Sequence, residues 1–103
     1  MREEERDVVT IGMNYSVRAG KEDVFEAACR RVVETMAGVE GHAESRIYRS
    51  IEEGSREYLI VSRWSSEDAF GSFIRSEAFR KVTDWGAANI LEGRPRHTTY
   101  REG

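Results

Sequence analysis

Hydrophobic residues follow two different periods along the chain, and the change of period predicts its first two elements. In residues 7–17 apolar side chains occupy every second position, which predicts a strand with one buried face. From Glu22 onward the apolar positions recur at helical spacing, and Gly38 and Gly41 mark where this pattern stops. We therefore predict a strand followed by an amphipathic helix of about four turns.

The centre of the chain predicts a β-hairpin. Residues 42–50 and residues 56–64 are predicted to be strands, because a polar loop that contains Gly54 separates two runs with strand-like patterns. Apolar residues occupy both parities at residues 59–61, which favours a strand that is covered on both faces.

A second helical region and a last strand complete the pattern. Ser65 and Asp68 stand at capping-box spacing before a short helix, and Ser76 is expected to cap another. Residues 86–94 are expected to form a connection to a last strand at residues 96–101. The order β-α-β-β-α-β predicts an α+β fold of the ferredoxin-like sandwich type.

The composition indicates one globular domain. With 103 residues, of which 39% are hydrophobic and 34% charged, we expect a single domain at residues 7–103 behind a disordered or solvated tail at residues 1–6. The formal charge of −3 argues against a nucleic-acid partner. Because no apolar run approaches the roughly 20 residues of a spanning helix, and the charged start has no secretory pattern, we expect a cytoplasmic protein without a membrane partner. Cys29 alone forms no intramolecular disulfide, and no metal-ligand spacing is visible.

Both faces of the predicted sheet carry apolar side chains. The third strand places Tyr58, Ile60 and Trp64 on one side and Leu59 and Val61 on the other. If both helical segments cover the same face, the other face exposes an apolar patch of the size that marks an interface. We therefore predict a two-fold homodimer whose sheets pack face to face.

The segment from Trp64 to Phe79, WSSEDAFGSFIRSEAF, resembles the signature segment of the antibiotic biosynthesis monooxygenase (ABM) family. In that family a strand-ending Trp is followed by a charged cap, an Ala-Phe pair and a Ser-x-x-Phe turn. Gly20 matches the family's glycine at the junction of the first strand and first helix, and Gly41 matches its glycine before the second strand. The resemblance covers roughly residues 8–101. It implies a dimeric α+β barrel and a cofactor-independent monooxygenase that acts on an aromatic or quinol-like small molecule. The alternative is a non-catalytic module that binds a small molecule or haem.

Two functional branches of the family place polar residues where this chain has others. The haem-degrading branch has an Asn, a Trp and a His at the positions that correspond here to Met13, Phe73 and Thr83. Because Thr is not a usual axial ligand of haem iron, no cofactor is expected, although haem remains the alternative. The polyketide-oxidising branch shares Trp64 but has an Asn and a Tyr at the positions of Ile60 and Phe70.

A metal-free oxygenase needs an apolar slot, a base and hydrogen-bond donors that hold an oxyanion. The candidates for catalysis are His42, as a base near neutral pH, and Asn14, whose small neighbours leave room for a ligand or for a close contact between sheets. His97 shares a face with Thr99 and Arg101 and is expected at the surface or an interface. The phenylalanines of the helical region also fit a plain core. The residues expected to line the slot and bind substrate are Met13, Tyr15, Trp64, Phe70, Phe73, Phe79 and Thr83.

Overall fold

The alternating segment near the start of the chain forms a central strand of a four-stranded antiparallel sheet. The computed structural model describes residues 8–102, so the predicted tail at residues 1–6 lies outside the described residues. The elements are β1 (Val9–Ser16), α1 (Glu22–Met36), β2 (His42–Arg49), β3 (Glu57–Trp64), α2 (Glu67–Ile74), α3 (Glu77–Asn89) and β4 (Arg96–Tyr100). The strand order β2-β3-β1-β4 and the element order confirm the predicted ferredoxin-like α+β fold.

The helices pack on one side of the sheet, which we call the covered face. Cross-strand partners share a face, so Val9 and Trp64 lie together there, as do Met13 and Ile60. The opposite side, which we call the bare face, has no helix of residues 8–102 packed on it. Its strand residues are Thr10, Gly12, Asn14, Ser16, Glu44, Arg46, Tyr48, Glu57, Leu59, Val61, Arg63, Arg96, Thr98 and Tyr100.

Two hydrophobic clusters form the core between the covered face and the helices. One contains Phe25 and Cys29 of α1 with Tyr58 and Ile60 of β3. The other surrounds Trp64, which is fully buried. Its other buried members are Val9, Ile11, Met36 and Phe70. The clusters meet near the middle of β1, where Met13 packs against one and Tyr15 against the other.

Two helix boundaries differ from the sequence-based prediction. The hydroxyl of Ser66, rather than that of Ser65, accepts the Ala69 N–H at 3.1 Å and caps α2. The predicted connection at residues 86–94 was wrong at its start, because α3 continues through Gly86 to Asn89. Gly86 is buried there, and its carbonyl accepts the Ile90 and Leu91 N–H groups at 2.9 Å, so the hydrogen bonding of the helix runs past the glycine. Ser76 caps α3 as predicted, accepting the Phe79 N–H at 3.2 Å.

Gly41 fixes how closely β2 approaches α2. Its φ of +89° lies in the left-handed region, and a Cβ at this position would stand 2.5 Å from the Ala69 Cβ. The Gly41 carbonyl also accepts the Ser65 N–H at 2.7 Å. Glycine is therefore required by both the backbone conformation and the space.

Within residues 8–102, no helix has the length and apolar character that a bilayer crossing requires.

Candidate functional site

The space between the two hydrophobic clusters is almost filled. Two cavities remain, of ≈ 50 Å³ and ≈ 20 Å³, and both are lined by Tyr15, Val32, Ile60 and Phe79. Cavities of this size hold little more than water, so an aromatic ring has no room there in this conformation. A ligand of that kind must bind where the space widens toward the surface.

The space widens at the edge of the sheet, between α3 and β4. A pocket of ≈ 360 Å³, which we call the edge pocket, has an apolar floor formed by Met13, Ile74 and Phe79. Its volume is in the range of small-molecule sites. The remaining lining residues are Arg80, Thr83, Asp84, Arg94, Pro95 and His97. An apolar floor with a small set of convergent polar groups is the usual composition of a ligand site.

A second opening lies between α1 and α3 and is larger and less polar. This helix groove, of ≈ 520 Å³, is lined on the α3 side by Ala78, Phe79, Val82 and Trp85. Trp85 is 47% exposed, so the groove presents apolar surface to solvent. The residues of α1 that line the groove are Val24, Ala27, Ala28, Arg31, Val32 and Thr35.

Phe79 is the wall that all four spaces share. Its side chain lines both small cavities, the edge pocket and the helix groove. The ring packs at 4.9 Å from that of Phe73, in a tilted arrangement. Its position is fixed by the start of α3, where Ser76 caps the helix and accepts the Phe79 N–H. The Phe79 ring therefore stands between the edge pocket and the small cavities of the interior.

Two ionisable groups of the interior remain protonated at neutral pH. Burial, and then the nearby Glu26, raise the pKa of the Cys29 thiol to about 12. Burial also raises the pKa of the Tyr15 hydroxyl above its usual range, and this hydroxyl donates to the Met13 Sδ at 2.7 Å. Neither group therefore supplies a thiolate nucleophile or a phenolate base at neutral pH.

The imidazole of the edge pocket belongs to His97. It lies on the covered side of β4, opposite Met13, and its ring is 5.3 Å from Phe70 in an edge-on arrangement. Across the pocket, the Arg94 guanidinium pairs with the Asp84 carboxylate at 2.8 Å. The edge pocket thus combines a base of the imidazole type, cationic donors and an apolar floor.

The structure places six of the seven predicted substrate-binding residues in the lining of the edge pocket or of the ≈ 20 Å³ cavity. Met13, Phe79 and Thr83 line the edge pocket. The side chains of Tyr15, Phe70 and Phe73 line the ≈ 20 Å³ cavity. Trp64 is fully buried, and its indole N–H donates to the Ser62 hydroxyl at 2.9 Å, so it supports the wall of the core.

The two residues predicted for catalysis lie elsewhere. Asn14 is exposed on the bare face, beside Leu59 and Arg96, on the opposite side of the sheet from Met13. His42 packs against Trp64 and shares a 2.7 Å hydrogen bond with the Ser45 hydroxyl. Neither residue lines the edge pocket.

Sequence reasoning did not single out the cationic rim. Arg80 and Asp84 stand four residues apart on α3, with Thr83 between them, so they share one helix face. The sequence shows this spacing, but the spacing indicates a site only when it is also known that α3 packs beside β4. That placement also brings Arg94 and His97 to the same pocket.

Thr83 stands where the haem-degrading branch has its iron-ligating His, so its contacts test whether this chain could hold haem iron. Its hydroxyl donates to the Phe79 carbonyl at 2.9 Å, within its own helix, and offers no ligand of the kind that haem iron takes. The residues at the haem branch's positions therefore do not fit an iron site. Within residues 8–102, no group of three or more His, Cys, Asp and Glu side chains is placed to hold a metal ion.

Comparison with known families gives one match that covers most of the chain. A model of the family described as antibiotic biosynthesis monooxygenase matches residues 8–85. Among solved structures, a conserved protein from Methanosarcina mazei superposes with a TM-score of 0.83 at 18% identity, with 97% of each chain covered. The cofactor-independent oxygenase SnoaB from Streptomyces nogalater superposes with a TM-score of 0.79 at 18% identity, with 94% of each chain covered. At such identities the likeness shows the fold.

Curated relatives are much longer proteins. A Natronomonas pharaonis protein named "Putative heme-binding protein" is 32% identical over 92% of this chain, and a protein of the same name from Haloquadratum walsbyi is 29% identical over 91%. The chain spans only 16% and 17% of the length of these two relatives. Their names therefore describe proteins of which more than four-fifths has no counterpart in the match.

Proposed function

Since the chain belongs to the antibiotic biosynthesis monooxygenase family, we propose that it is a cofactor-independent monooxygenase whose edge pocket binds an aromatic, quinol-like or anthrone-like small molecule. The observation that carries the proposal is the placement of His97 beside the apolar floor formed by Met13 and Phe79. A flat ring on this floor would have the imidazole and the guanidinium of Arg80 at its rim.

The proposed reaction uses the substrate itself to reduce dioxygen. His97 removes a proton from the substrate, and the guanidinium groups of Arg80 and Arg94 stabilise the negative oxygen of the resulting anion. For an anthrone, the anion's carbon bonds to O2 and the peroxide takes up a proton. The hydroperoxide then loses water and leaves a carbonyl group. One oxygen atom enters the product and the other leaves as water. The substrate therefore loses four electrons, and O2 gains the same four.

The test is oxygen consumption with a panel of anthrones and reduced quinones. We expect at least one substrate to raise oxygen uptake above the protein-free rate, and His97→Gln to lower the enzymatic rate by about 100-fold or more, since general-base catalysis contributes that much. His42→Gln is the matched variant, because His42 lies outside the edge pocket. Loss of activity in His42→Gln with activity retained in His97→Gln would place the reaction elsewhere and contradict the proposal.

A non-catalytic binding module is the second candidate, and the residues Met13, Phe73 and Thr83 favour it. These residues stand where the haem-degrading branch has polar groups, and in this chain none of them is ionisable. Binding of an aromatic ligand in the edge pocket without oxygen uptake would establish this function. Addition of haemin tests the remaining form of it, since a sharp Soret shift would indicate haem binding and its absence would exclude that form.

We further propose that a second copy of the chain covers the bare face. Tyr48 and Tyr100 are 49% and 56% exposed there, and the half-buried Leu59 and Val61 lie between them. Gly12 keeps the middle of this face low, because it places no side chain under the Tyr100 ring. Sedimentation at micromolar concentration is expected to show a dimer, and Val61→Glu is expected to give a folded monomer. A monomeric wild-type protein would contradict this assignment.

A further inference from the structure

We infer that the ligand of the edge pocket is an aromatic monocarboxylate, a substrate class that rests on the proposed function for the identity of the site. The pocket is asymmetric, since its floor is apolar and its rim carries two guanidinium groups, those of Arg80 and Arg94. A neutral quinol would bind with its ring on the floor and would meet the rim with a full negative charge only after it is deprotonated. An aromatic acid would use the floor for its ring and the rim for its carboxylate.

The charges of the rim do not balance within the protein. Arg94 pairs with Asp84, but among residues 8–102 no carboxylate lies within 4.0 Å of the Arg80 guanidinium. Two guanidinium groups and one carboxylate leave one net positive charge at the rim when His97 is neutral. The whole chain carries a formal charge of −3, so this positive charge is a local feature. A ligand with one negative charge would neutralise it.

The geometry of α3 points this charge at the pocket. Arg80, Thr83 and Asp84 recur at helical spacing and line the pocket together with Phe79. Lys81, the next residue along the helix, does not line it and instead pairs with Glu77 at 3.1 Å. The helix therefore presents one cation to the pocket and the neighbouring cation to solvent.

The existing ion pair leaves the rim available to a ligand. The Arg94 and Asp84 side chains are 67% and 64% exposed, and an exposed pair of this kind contributes little to stability. A planar guanidinium also binds a carboxylate through two parallel hydrogen bonds, and Asp84 contacts Arg94 through one nitrogen, at 2.8 Å. The helix groove lacks this arrangement, since Arg31 is its one charged lining residue among those described.

The inference is tested by calorimetric titration with a matched pair of probes, 2-naphthoate and its uncharged analogue 2-naphthamide. Both have the same rings, so the difference in their affinities reports the carboxylate. We expect wild-type protein to bind the naphthoate about tenfold more tightly, as a charge-assisted hydrogen bond provides. Arg80→Gln is expected to remove this preference with little change for the naphthamide, while Lys81→Gln keeps it.

Three results would overturn the inference. They are equal affinity for both probes in the wild-type protein, an unchanged preference in Arg80→Gln, and tighter binding of inorganic phosphate than of the naphthoate. Thermal unfolding of each variant in the absence of probe shows whether the substituted chain is folded. Arg80→Lys gives a second variant, because it keeps the charge without the planar fork and is expected to retain part of the preference.

The same probes separate this inference from the proposed function. Oxygen uptake is measured with 2,5-dihydroxybenzoate and with hydroquinone, which differ by one carboxylate. Preferential binding of the naphthoate without any oxygen uptake would support the ligand class and contradict the monooxygenase. Oxygen uptake that is equal for both dihydroxy compounds, with no preference for the naphthoate, would support the monooxygenase and contradict the ligand class.

Discussion

The two faces of the sheet are built from the same four strands and serve different purposes. On the covered face, Val9, Ile11 and Trp64 are almost completely inaccessible to solvent. On the bare face, Asn14 and Arg63 are exposed in the same strands. Because successive side chains of a strand point to opposite faces, adjacent residues differ in role: one contributes to the core and the next to the exposed surface. Substitutions of adjacent residues, one on each face, are the direct way to measure this separation.

The largest difference is expected at the end of β3. Trp64→Ala should lower the free energy of unfolding by about 3–5 kcal/mol, because it leaves a cavity beside Phe70 and Phe73 and an unpaired Ser62 hydroxyl. Arg63→Ala, one residue away on the bare face, should change it by about 0.5 kcal/mol or less. Urea denaturation of both variants measures the difference. Similar losses in the two variants would contradict the assignment of faces.

A smaller effect is expected where the helical layer meets β2. Gly41→Ala should cost about 2–3 kcal/mol, since its methyl group would overlap Ala69 in addition to straining a left-handed backbone. Gly20→Ala is the matched control, because Gly20 has a φ of +82° but open space around it. Its cost should be about 1 kcal/mol. Equal costs, from thermal or urea unfolding, would show that close packing at Gly41 contributes nothing.

Alkaline pH should weaken the covered face specifically. Burial raises the pKa of Cys29 from 9.0 to about 12, so above pH 9 the unfolded chain loses this proton while the folded chain keeps it. Stability therefore falls as the pH rises between 9 and 12, by about 1.4 kcal/mol per pH unit for one such group at most. Cys29→Ala should make the pH profile of unfolding shallower in this window. An unchanged slope would contradict the predicted burial of the thiol.

The smallest effect concerns one hydroxyl on each face. The Tyr58 hydroxyl donates to the Glu26 Oε2 at 2.6 Å, and burial and this hydrogen bond raise the pKa of Tyr58 to about 12. Tyr58→Phe should lower the free energy of unfolding by about 1 kcal/mol. Tyr48→Phe, on the bare face, should change it by a few tenths of a kcal/mol. A larger effect at Tyr48 that grows with protein concentration would report the interface between copies instead.

The sequence predicted the fold because both periods are strong where the structure is regular. The alternation of residues 7–17 and the helical spacing after Glu22 correspond to β1 and α1. The prediction failed at Gly86, since a glycine in a helical pattern is also a common end of a helix. In the structure Gly86 is instead buried within α3, and the N–H groups of Ile90 and Leu91 donate to its carbonyl.

The candidate site was predictable only in part. Of the seven residues predicted to bind substrate, Met13, Phe79 and Thr83 line the edge pocket. Tyr15, Phe70 and Phe73 line the ≈ 20 Å³ cavity instead. The rim did not follow, because Arg80, Arg94 and His97 come from two elements and the connection between them. Charged residues at helical spacing are usually solvated, so the sequence alone gives no reason to group them.

Phe79 also has a consequence for how this architecture diversifies. The Phe79 ring lines the edge pocket, both small cavities and the helix groove. If the edge pocket binds a ligand as we propose, a change of this one side chain would alter the size of the molecule that fits. The hydrogen bonds of the sheet would be unaffected, so related chains could differ in ligand size while they keep the same scaffold.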